Sequence, residues 1–202
     1  MKFVAFADMH CSPTSFERVA TRAKKEDIDG VICAGDLSIF GTGIENMLKK
    51  LDKIGKPVFI VPGNHEAGTG LRELCGLFKN LVYLNKRMVK FKDAILVGCE
   101  GNGFTVSDPE FREWGKRAAK KLKDKENVVL VTHAPPYGTK LDVIDRKHLG
   151  NKEIKYFIER NSAIKVAISG HFHETQGLED KVNNARLVNP GPNGKVIDLN
   201  NS

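Results

Sequence analysis

The stretch FVAFADMH, residues 3–10, decides the fold, because an apolar run typical of a buried β-strand is followed at once by an aspartate and a histidine. The same arrangement recurs after the apolar runs 31–34, 58–61, 128–132 and 166–169. The polar groups that follow these runs are Gly35-Asp36, Gly63-Asn64-His65-Glu66, His133 and Gly170-His171-Phe172-His173. The carboxyl ends of strands in an open α/β sheet share one edge, where such folds bind ligands. We therefore expect these groups to converge on one site.

The segments between the apolar runs have helical periodicity in the first third of the chain. They predict helices over 13–26, 44–54 and 71–78, with Ser12 as the N-cap of the first helix. This βαβαβα order is typical of a parallel sheet with right-handed crossovers. Beyond it we expect a meander over 81–99, helices over 108–124 and 152–160, and strands over 128–132, 165–169, 175–178, 185–189 and 195–199. Residues 135–151 are expected to form a surface loop.

Length and composition indicate a soluble globular protein. The chain has 202 residues, 41% hydrophobic and 28% charged, which suits a single domain spanning residues 1–202. No apolar run is long enough to span a membrane. The apolar run at the amino terminus is too short for a signal peptide, so we expect a cytoplasmic protein. The four cysteines have no CxxC spacing and do not indicate a disulfide framework.

The net charge of +7 favours anionic partners without defining a site. The densest basic stretch is Arg112–Lys125, which has two interpretations. It could be the solvated face of an amphipathic helix, or a surface that contacts a phosphate backbone. Phe111 and Trp114 lie at the spacing of a helix core, so aromatic side chains do not support the second interpretation.

The side chains at the strand ends have the composition of a metal site. The candidate ligands are Asp8, His10, Asp36, Asn64, His133, His171 and His173. Seven ligands are too many for one divalent ion of the Mn, Fe, Co, Ni or Zn type, but they suit two ions if one carboxylate bridges them. With a bridging hydroxide, such a centre keeps a charge of about +1, which suits an anionic ester. His65 is not needed as a ligand and is a candidate general acid for a leaving-group oxygen.

These blocks, in this order from Asp8 to Asn189-Pro190-Gly191, resemble the calcineurin-like metallophosphoesterase superfamily. The resemblance implies an α/β fold of two packed mixed β-sheets flanked by helices, a four-layer αββα arrangement. It implies that Asp8, His10, Asp36 and His173 hold one metal ion, and that Asp36, Asn64, His133 and His171 hold the other. It implies a hydrolase of phosphate esters that uses a pair of manganese, iron, nickel, cobalt or zinc ions. Because the small chain leaves little room for a capping domain over the cleft, we expect a phosphodiesterase above all. A metal-bridging hydroxide would attack in line, with His65 as general acid.

At two places the sequence lacks a motif that marks a subgroup of this superfamily. Purple acid phosphatases carry an iron-binding tyrosine three residues after the bridging aspartate, where this chain has Ile39. Protein Ser/Thr phosphatases carry Asp-Arg-Gly shortly after it, and Leu37–Gly43 contains neither Asp nor Arg. We therefore expect neither a tyrosinate–iron site nor a protein phosphatase.

Two further residues, Asn102 and Tyr137, are candidates for substrate binding, whereas His148 is expected in a solvated loop. The expected partner is a phosphate-ester substrate, with no membrane association, and the oligomeric state is left open. One alternative function is a nuclease, suggested by the positive charge, which would need a basic track leading to the metals. A second is a non-catalytic scaffold, which the full set of ligand-type residues disfavours.

Overall fold

The computed structural model describes residues 1–101, 103 and 105–201. The first half of the chain contains β1 Lys2–Phe6, α1 Pro13–Ala23, β2 Gly30–Ala34, α2 Ile44–Asp52, β3 Val58–Val61, α3 Leu71–Cys75, β4 Leu81–Tyr83, β5 Arg87–Phe91 and β6 Ala94–Gly98. The second half contains α4 Pro109–Leu122, β7 Val128–Val131, β8 Val143–Ile144, β9 Lys147–His148, α5 Lys152–Arg160, β10 Ile164–Ile168, β11 Glu179–Val182, β12 Ala185–Val188 and β13 Lys195–Asp198. Among these described helices, none is long and apolar enough to cross a membrane.

Two large mixed sheets form the centre of the fold. The first has the order β13-β1-β2-β3-β4, and the second has the order β11-β12-β10-β7-β6-β5. Strands β1 to β4 are parallel to one another, and so are β6, β7, β10 and β12, while β13, β11 and β5 pair antiparallel at the edges. The predicted parallel order of the first third is therefore correct.

The apolar side chains divide into three layers of core. One layer lies between the sheets and includes Phe3, Phe59 and Val131. A second layer packs α1, α2 and α3 on the outer face of the first sheet, and a third packs α4 and α5 on the outer face of the second. The result is the expected α/β fold of two packed mixed sheets flanked by helices, in four layers.

The helix starts follow from local side-chain chemistry. Ser12 caps α1, since its side chain accepts a hydrogen bond from the backbone of Ser15, as predicted. Asp108 caps α4 in the same way, with Pro109 at the first helical position. The predicted helices over 13–26 and 71–78 end earlier than expected, at Ala23 and Cys75. Their final residues form turns instead.

Two expectations about irregular segments are wrong. Residues 175–178 form a turn rather than a strand, because Gly177 adopts a left-handed φ of 81° and the amide of Leu178 bonds the carbonyl of Thr175. Residues 135–151 are not simply a surface loop. They contain a short helical turn, Lys140–Asp142, and the β8–β9 hairpin, and several of their side chains are buried.

The carboxylate of Asp142 organises residues 135–151. Asp142 is 0% exposed and accepts hydrogen bonds from the backbone amides of Gly138, Thr139 and Gly150 at 2.9–3.0 Å. His148, which is exposed as expected, also contacts this carboxylate, with its Nδ1 2.7 Å from an oxygen. The buried carboxylate therefore satisfies backbone amides of this segment that in a β-sheet would bond to a neighbouring strand.

We predict that Asp142→Ala lowers the free energy of unfolding by about 3 kcal/mol or more, because each amide left buried without an acceptor costs about 1–3 kcal/mol. Asp142→Asn keeps one carboxamide oxygen as an acceptor and should cost less. His148→Ala, which leaves the three amides bonded, should cost about 1 kcal/mol or less. Urea denaturation of the three variants measures these differences, and equal losses for Asp142→Ala and His148→Ala would contradict this account.

Candidate metal centre

The predicted ligand residues meet at one edge of the two sheets. Three overlapping groups have ligand atoms within 4.8 Å of one another, and they are Asp8 with His10 and His173, His10 with Asp36 and His65, and Asp36 with His133 and His171. Asn64 joins the third group, since its Oδ1 lies 3.1 Å from His133 Nε2. The structure therefore brings together all seven candidate ligands and His65.

Strand register places these residues level with one another. Phe6 of β1 is opposite Cys33 of β2, which is opposite Ile60 of β3, so the three parallel strands end at the same height. In the second sheet Val131 of β7 is opposite Ile168 of β10. Because the candidate ligands begin two or three residues beyond each strand, equal strand ends bring them side by side.

Two hydrogen bonds join the sheets at this edge. The backbone N–H of His171, which follows β10, donates to the carboxylate of Asp8, which follows β1, at 3.0 Å. The Nδ1 of His133, which follows β7, lies 2.9 Å from the carbonyl oxygen of Ala34 at the end of β2. Each bond links a residue of one sheet to a residue of the other, so the relative position of the ligand groups is fixed.

The backbone is strained at several of these positions. Asp8, His10, Asp36 and His171 have φ values of 55°, 45°, 51° and 73°, in the left-handed region that side chains rarely adopt. Such conformations cost about 1–3 kcal/mol each and persist where the surrounding structure enforces them, most often at functional sites. Four strained residues in one cluster indicate that the fold gives up stability to place these side chains.

Two glycines permit close approach of the cluster members. A Cβ at Gly63 would lie 2.2 Å from Oδ1 of Asp36, and a Cβ at Gly35 would lie 2.4 Å from Nδ1 of His133. Neither neighbour could tolerate that contact. The glycines before Asp36 and Asn64 are thus required by packing at the centre itself.

Backbone carbonyls fix which ring nitrogen of two histidines is free to bind metal. A carbonyl oxygen only accepts hydrogen bonds, so Nδ1 of His133 donates to Ala34, and Nδ1 of His10 donates to the carbonyl of Ser38 at 3.1 Å. Their Nε2 atoms face the cluster. His10 Nε2 is 3.3 Å from His173 Nε2, and His133 Nε2 is 3.2 Å from His171 Nδ1. Ring nitrogens that face one another and carboxylates, with carbonyls behind them, are the arrangement of a metal site.

His65 has the opposite arrangement. The backbone N–H of Phe40 donates to its Nδ1 at 3.3 Å, so a neutral His65 carries its proton on Nε2. That Nε2 lies 3.9 Å from a carboxylate oxygen of Asp36. His65 is therefore arranged to donate a proton at the cluster, whereas His10 and His133 are arranged to offer lone pairs.

The protonation states of Asp36 and His171 suit a cationic occupant. Burial alone would raise the pKa of Asp36, but its hydrogen bond and charge interaction with His133 lower that pKa to about 2. Burial and the charge of His133 lower the pKa of His171 to about 4. For His133, burial would lower the pKa, but Asp36 raises it overall. Asp36 and His171 are thus in their metal-binding forms at neutral pH, whereas His133 holds a proton more tightly than an ordinary histidine does.

Glu66 holds together two of the loops that carry the cluster, a role that the sequence did not predict. It is buried, and its carboxylate accepts hydrogen bonds from the backbone amide and hydroxyl of Ser38 at 2.9 and 2.7 Å and from the amide of Gly63 at 2.9 Å. It thereby ties the turn that carries Asn64 and His65 to the loop after Asp36. Its position in the Gly63–Glu66 block, beside two site residues, was the available signal.

An open cavity of about 490 Å³ gives access to the cluster. Its lining residues are His10, Asp36, Ile39, Asn64, His65, Ile144, His171, His173 and Glu174. Ile39, Ile144 and Glu174 were not among the sequence candidates, because the sequence alone does not show which non-ligand side chains face the opening. None of these described lining residues is a lysine or an arginine.

The remaining candidates lie elsewhere or outside the described residues. Tyr137 is half-buried against the ring of His148, with the ammonium of Lys152 4.9 Å from its own ring, and it does not line this cavity. Asn102 lies outside the residues that the structure describes. The basic residues of Arg112–Lys125 are exposed on and just after α4, where Arg112 pairs with Glu153 at 2.5 Å and Lys116 with Glu113 at 2.6 Å. They too are not part of the cavity wall.

Comparison with known proteins agrees with this geometry. The family model described as calcineurin-like phosphoesterase matches residues 1–175. The chain belongs to the calcineurin-like phosphoesterase family. The uncharacterized protein MJ1162 of Methanocaldococcus jannaschii is 32% identical to this member over 207 residues, which cover 98% of this chain and 91% of that protein.

Solved structures share the fold of this calcineurin-like phosphoesterase. TT1561 of Thermus thermophilus superposes with a TM-score of 0.78 at 15% identity, covering 99% of this chain and 95% of that one. A dimetal phosphatase from Danio rerio superposes with a TM-score of 0.67 at 12% identity, covering 93% and 86% of the two chains. The four-layer arrangement is therefore that of metallophosphoesterases.

We predict that the affinity of this phosphoesterase for Mn²⁺ falls as the pH is lowered from 8 to 5.5. The raised pKa of His133 means that a proton competes with the ion for Nε2, whereas Asp36 and His171, with pKa values of about 2 and 4, stay deprotonated over this range. The loss should approach about tenfold per pH unit for each proton displaced. Calorimetric titration in buffers of different ionisation enthalpy counts the released protons. An affinity that does not change with pH, without proton release, would disprove this expectation.

Proposed function

We propose that this protein is a dinuclear-metal phosphodiesterase that hydrolyses small phosphate esters. The observation that carries the proposal is the position of the Asp36 carboxylate, whose ligand atoms lie within 4.8 Å of those of His10 on one side and of those of His133 and His171 on the other. It could therefore bridge two ions. A carboxylate shared in this way is the feature that distinguishes a two-metal site from two separate ones.

The resemblance to the family suggests how the ligands would divide between the two ions, and the burial of the histidines is consistent with that division. Asp8, His10, Asp36 and His173 would hold the ion nearer the solvent, since His173 is exposed. Asp36, Asn64, His133 and His171 would hold the deeper ion, because His133 and His171 are both buried. Nitrogen and carboxylate ligands of this kind suit Mn, Fe, Co, Ni or Zn and do not discriminate strongly among them.

When bound, two such ions neutralise charge on the phosphoryl oxygens and lower the pKa of an attacking water. The protein supplies what remains, which is the placement of the ester and a proton for the leaving oxygen. His65 is the group for that proton, because the amide of Phe40 occupies its Nδ1 and leaves the proton on Nε2, facing the cluster.

The cavity favours a small diester over a long nucleic acid. A nuclease needs cationic side chains along the path of the phosphate backbone. The described lining residues include neither lysine nor arginine, and the basic stretch after Phe111 does not contribute to the wall. A scaffold without catalysis would have no use for four strained ligand residues and their carbonyl partners.

We predict that the protein loaded with Mn²⁺ or Ni²⁺ hydrolyses an aryl phosphodiester such as bis(p-nitrophenyl) phosphate. His65→Ala should lower kcat by about 10²–10⁴-fold for a dinucleotide, whose alkoxide leaving group needs a proton and whose products are separated by chromatography. The loss should be much smaller for the p-nitrophenyl ester, because p-nitrophenolate leaves without a proton. Metal content should stay at the wild-type level, because His65 offers a proton and not a lone pair. Turnover of the aryl ester is measured by p-nitrophenolate release, with metal content determined on the same samples.

The matched control is His148→Ala, which removes the one histidine outside the cluster and should leave kcat within about twofold, since surface changes remote from a site act weakly. A fully metallated wild-type protein that leaves phosphodiesters intact would refute the proposed function. If metal content and turnover fall together in His65→Ala, the histidine is a ligand and not the proton donor.

A further inference from the structure

Phe40 presents an aromatic ring to solvent from a backbone conformation that side chains rarely adopt. Its side chain is 76% exposed, and its backbone φ is 48°, in the left-handed region. A phenylalanine in that conformation is unusual, and glycine or asparagine would fit there with less strain. The chain therefore carries both an exposed ring and a strained backbone at a single position, four residues after Asp36.

The loop that carries Phe40 is held rigidly. Glu66 binds the amide and hydroxyl of Ser38, and that hydroxyl in turn accepts a hydrogen bond from the amide of Gly41 at 3.1 Å. Thr42 closes the turn by donating its amide to the carbonyl of Ile39 at 3.0 Å. The ring of Phe40 is thus presented by a fixed turn.

The ring of Phe40 lies directly on His65. The two ring centroids are 4.0 Å apart and the planes differ by 23°, so the rings are stacked. Ile39, which is 50% exposed, lines the metal cavity beside them. Ile39 is thus part of the cavity wall, and the ring of Phe40 lies just outside it, stacked on His65 of that wall. Together the two side chains extend the site with apolar surface beside His65.

We propose that Ile39 and Phe40 form an apolar wall that receives a planar aromatic leaving group, with a nucleoside as the natural example. The inference rests on the proposed function, because it assigns a substrate class to the same site. An ester oxygen that takes its proton from His65 must lie beside His65, and the rest of the alcohol then extends over the adjacent wall. In a nucleoside 5′-ester the base is separated from that oxygen by the sugar, which brings it over the ring of Phe40.

Stacking of a base on an aromatic side chain is typically strong enough to set specificity, and it tolerates different bases because each has a planar face. The wall would thus favour nucleotide esters over esters of plain sugars or alkyl alcohols without reading a particular base. Phe40 would bind the leaving group by stacking, whereas His65 would protonate its oxygen as it leaves.

The test compares two ligands that differ only in the base, adenosine 5′-monophosphate and ribose 5-phosphate. Their affinities for the Mn²⁺-loaded protein are measured by calorimetry, for the wild type, Phe40→Ala, Phe40→Trp and Leu77→Ala. Leu77 is a matched control, since it is also 76% exposed but, in contrast to Phe40, carries no ring stacked on a residue of the cavity wall.

We expect Phe40→Ala to lower the affinity for adenosine 5′-monophosphate by at least about fivefold, which is the effect of losing one stacked base. The affinity for ribose 5-phosphate should stay within about twofold of the wild-type value. Phe40→Trp and Leu77→Ala should bind both ligands like the wild type. If the wild type binds the two ligands equally, or binds neither, the wall is disproved. It is also disproved if Phe40→Ala weakens both ligands to the same extent.

Kinetics separate this role from one of merely supporting His65. Adenosine 5′-methyl phosphate and ribose 5-methyl phosphate are compared by following the release of adenosine and of ribose, so that the alcohol that leaves is identified. A wall for the leaving group changes KM for adenosine release only, whereas a support for His65 lowers kcat for both esters. A drop in kcat alone for both esters in Phe40→Ala would overturn the proposal. Absence of hydrolysis by the wild type would refute the phosphodiesterase function, while the calorimetric comparison would still decide whether the wall binds a base.

Discussion

The hydrogen bonds between the two sheets at their shared edge hold the site together. The amide of His171 binds the carboxylate of Asp8, and the ring of His133 binds the carbonyl of Ala34, so ligands from one sheet are fixed by atoms of the other. The strands of each sheet end at the same height, and Gly63 lets its neighbours approach closely. Both features bring the cluster together only because the two sheets are held in a fixed relative position at this edge. The strain in four ligand residues is tolerated for the same reason.

Much of the site could be predicted because short stretches of sequence show both the strand and the polar residues that follow it. Each candidate ligand follows an apolar run within a few residues, and parallel strands bring their carboxyl ends together by geometry alone. The meeting of Asp8, Asp36 and His133 in one cluster, the parallel order of the first sheet and the cap at Ser12 all follow from such short-range patterns. The four-layer packing came from the resemblance of the ordered blocks to a known family, and the structure has it.

The features that escaped prediction depend on contacts between distant residues. Glu66 acts through Ser38, 28 positions away, and no periodicity reveals that pairing. Asp142 turns residues 135–151 into a partly buried segment through three amides that the sequence does not mark as its partners. The prediction of a strand over 175–178 was wrong because Gly177 adopts a left-handed conformation, which outweighs the extended preference of its neighbours. In the sequence Ile39 and Phe40 look like ordinary loop residues, and only the fold shows that Ile39 lines the cavity and that Phe40 stacks on His65.

The central claim is that Asp36 bridges two cations held by residues of both sheets. The most direct measurement is a crystal structure of the Mn²⁺-loaded protein with anomalous scattering at the manganese edge. We predict two anomalous peaks about 3.5–4 Å apart, each within bonding distance of the Asp36 carboxylate. A single peak, or two peaks of which only one contacts Asp36, would contradict the claim.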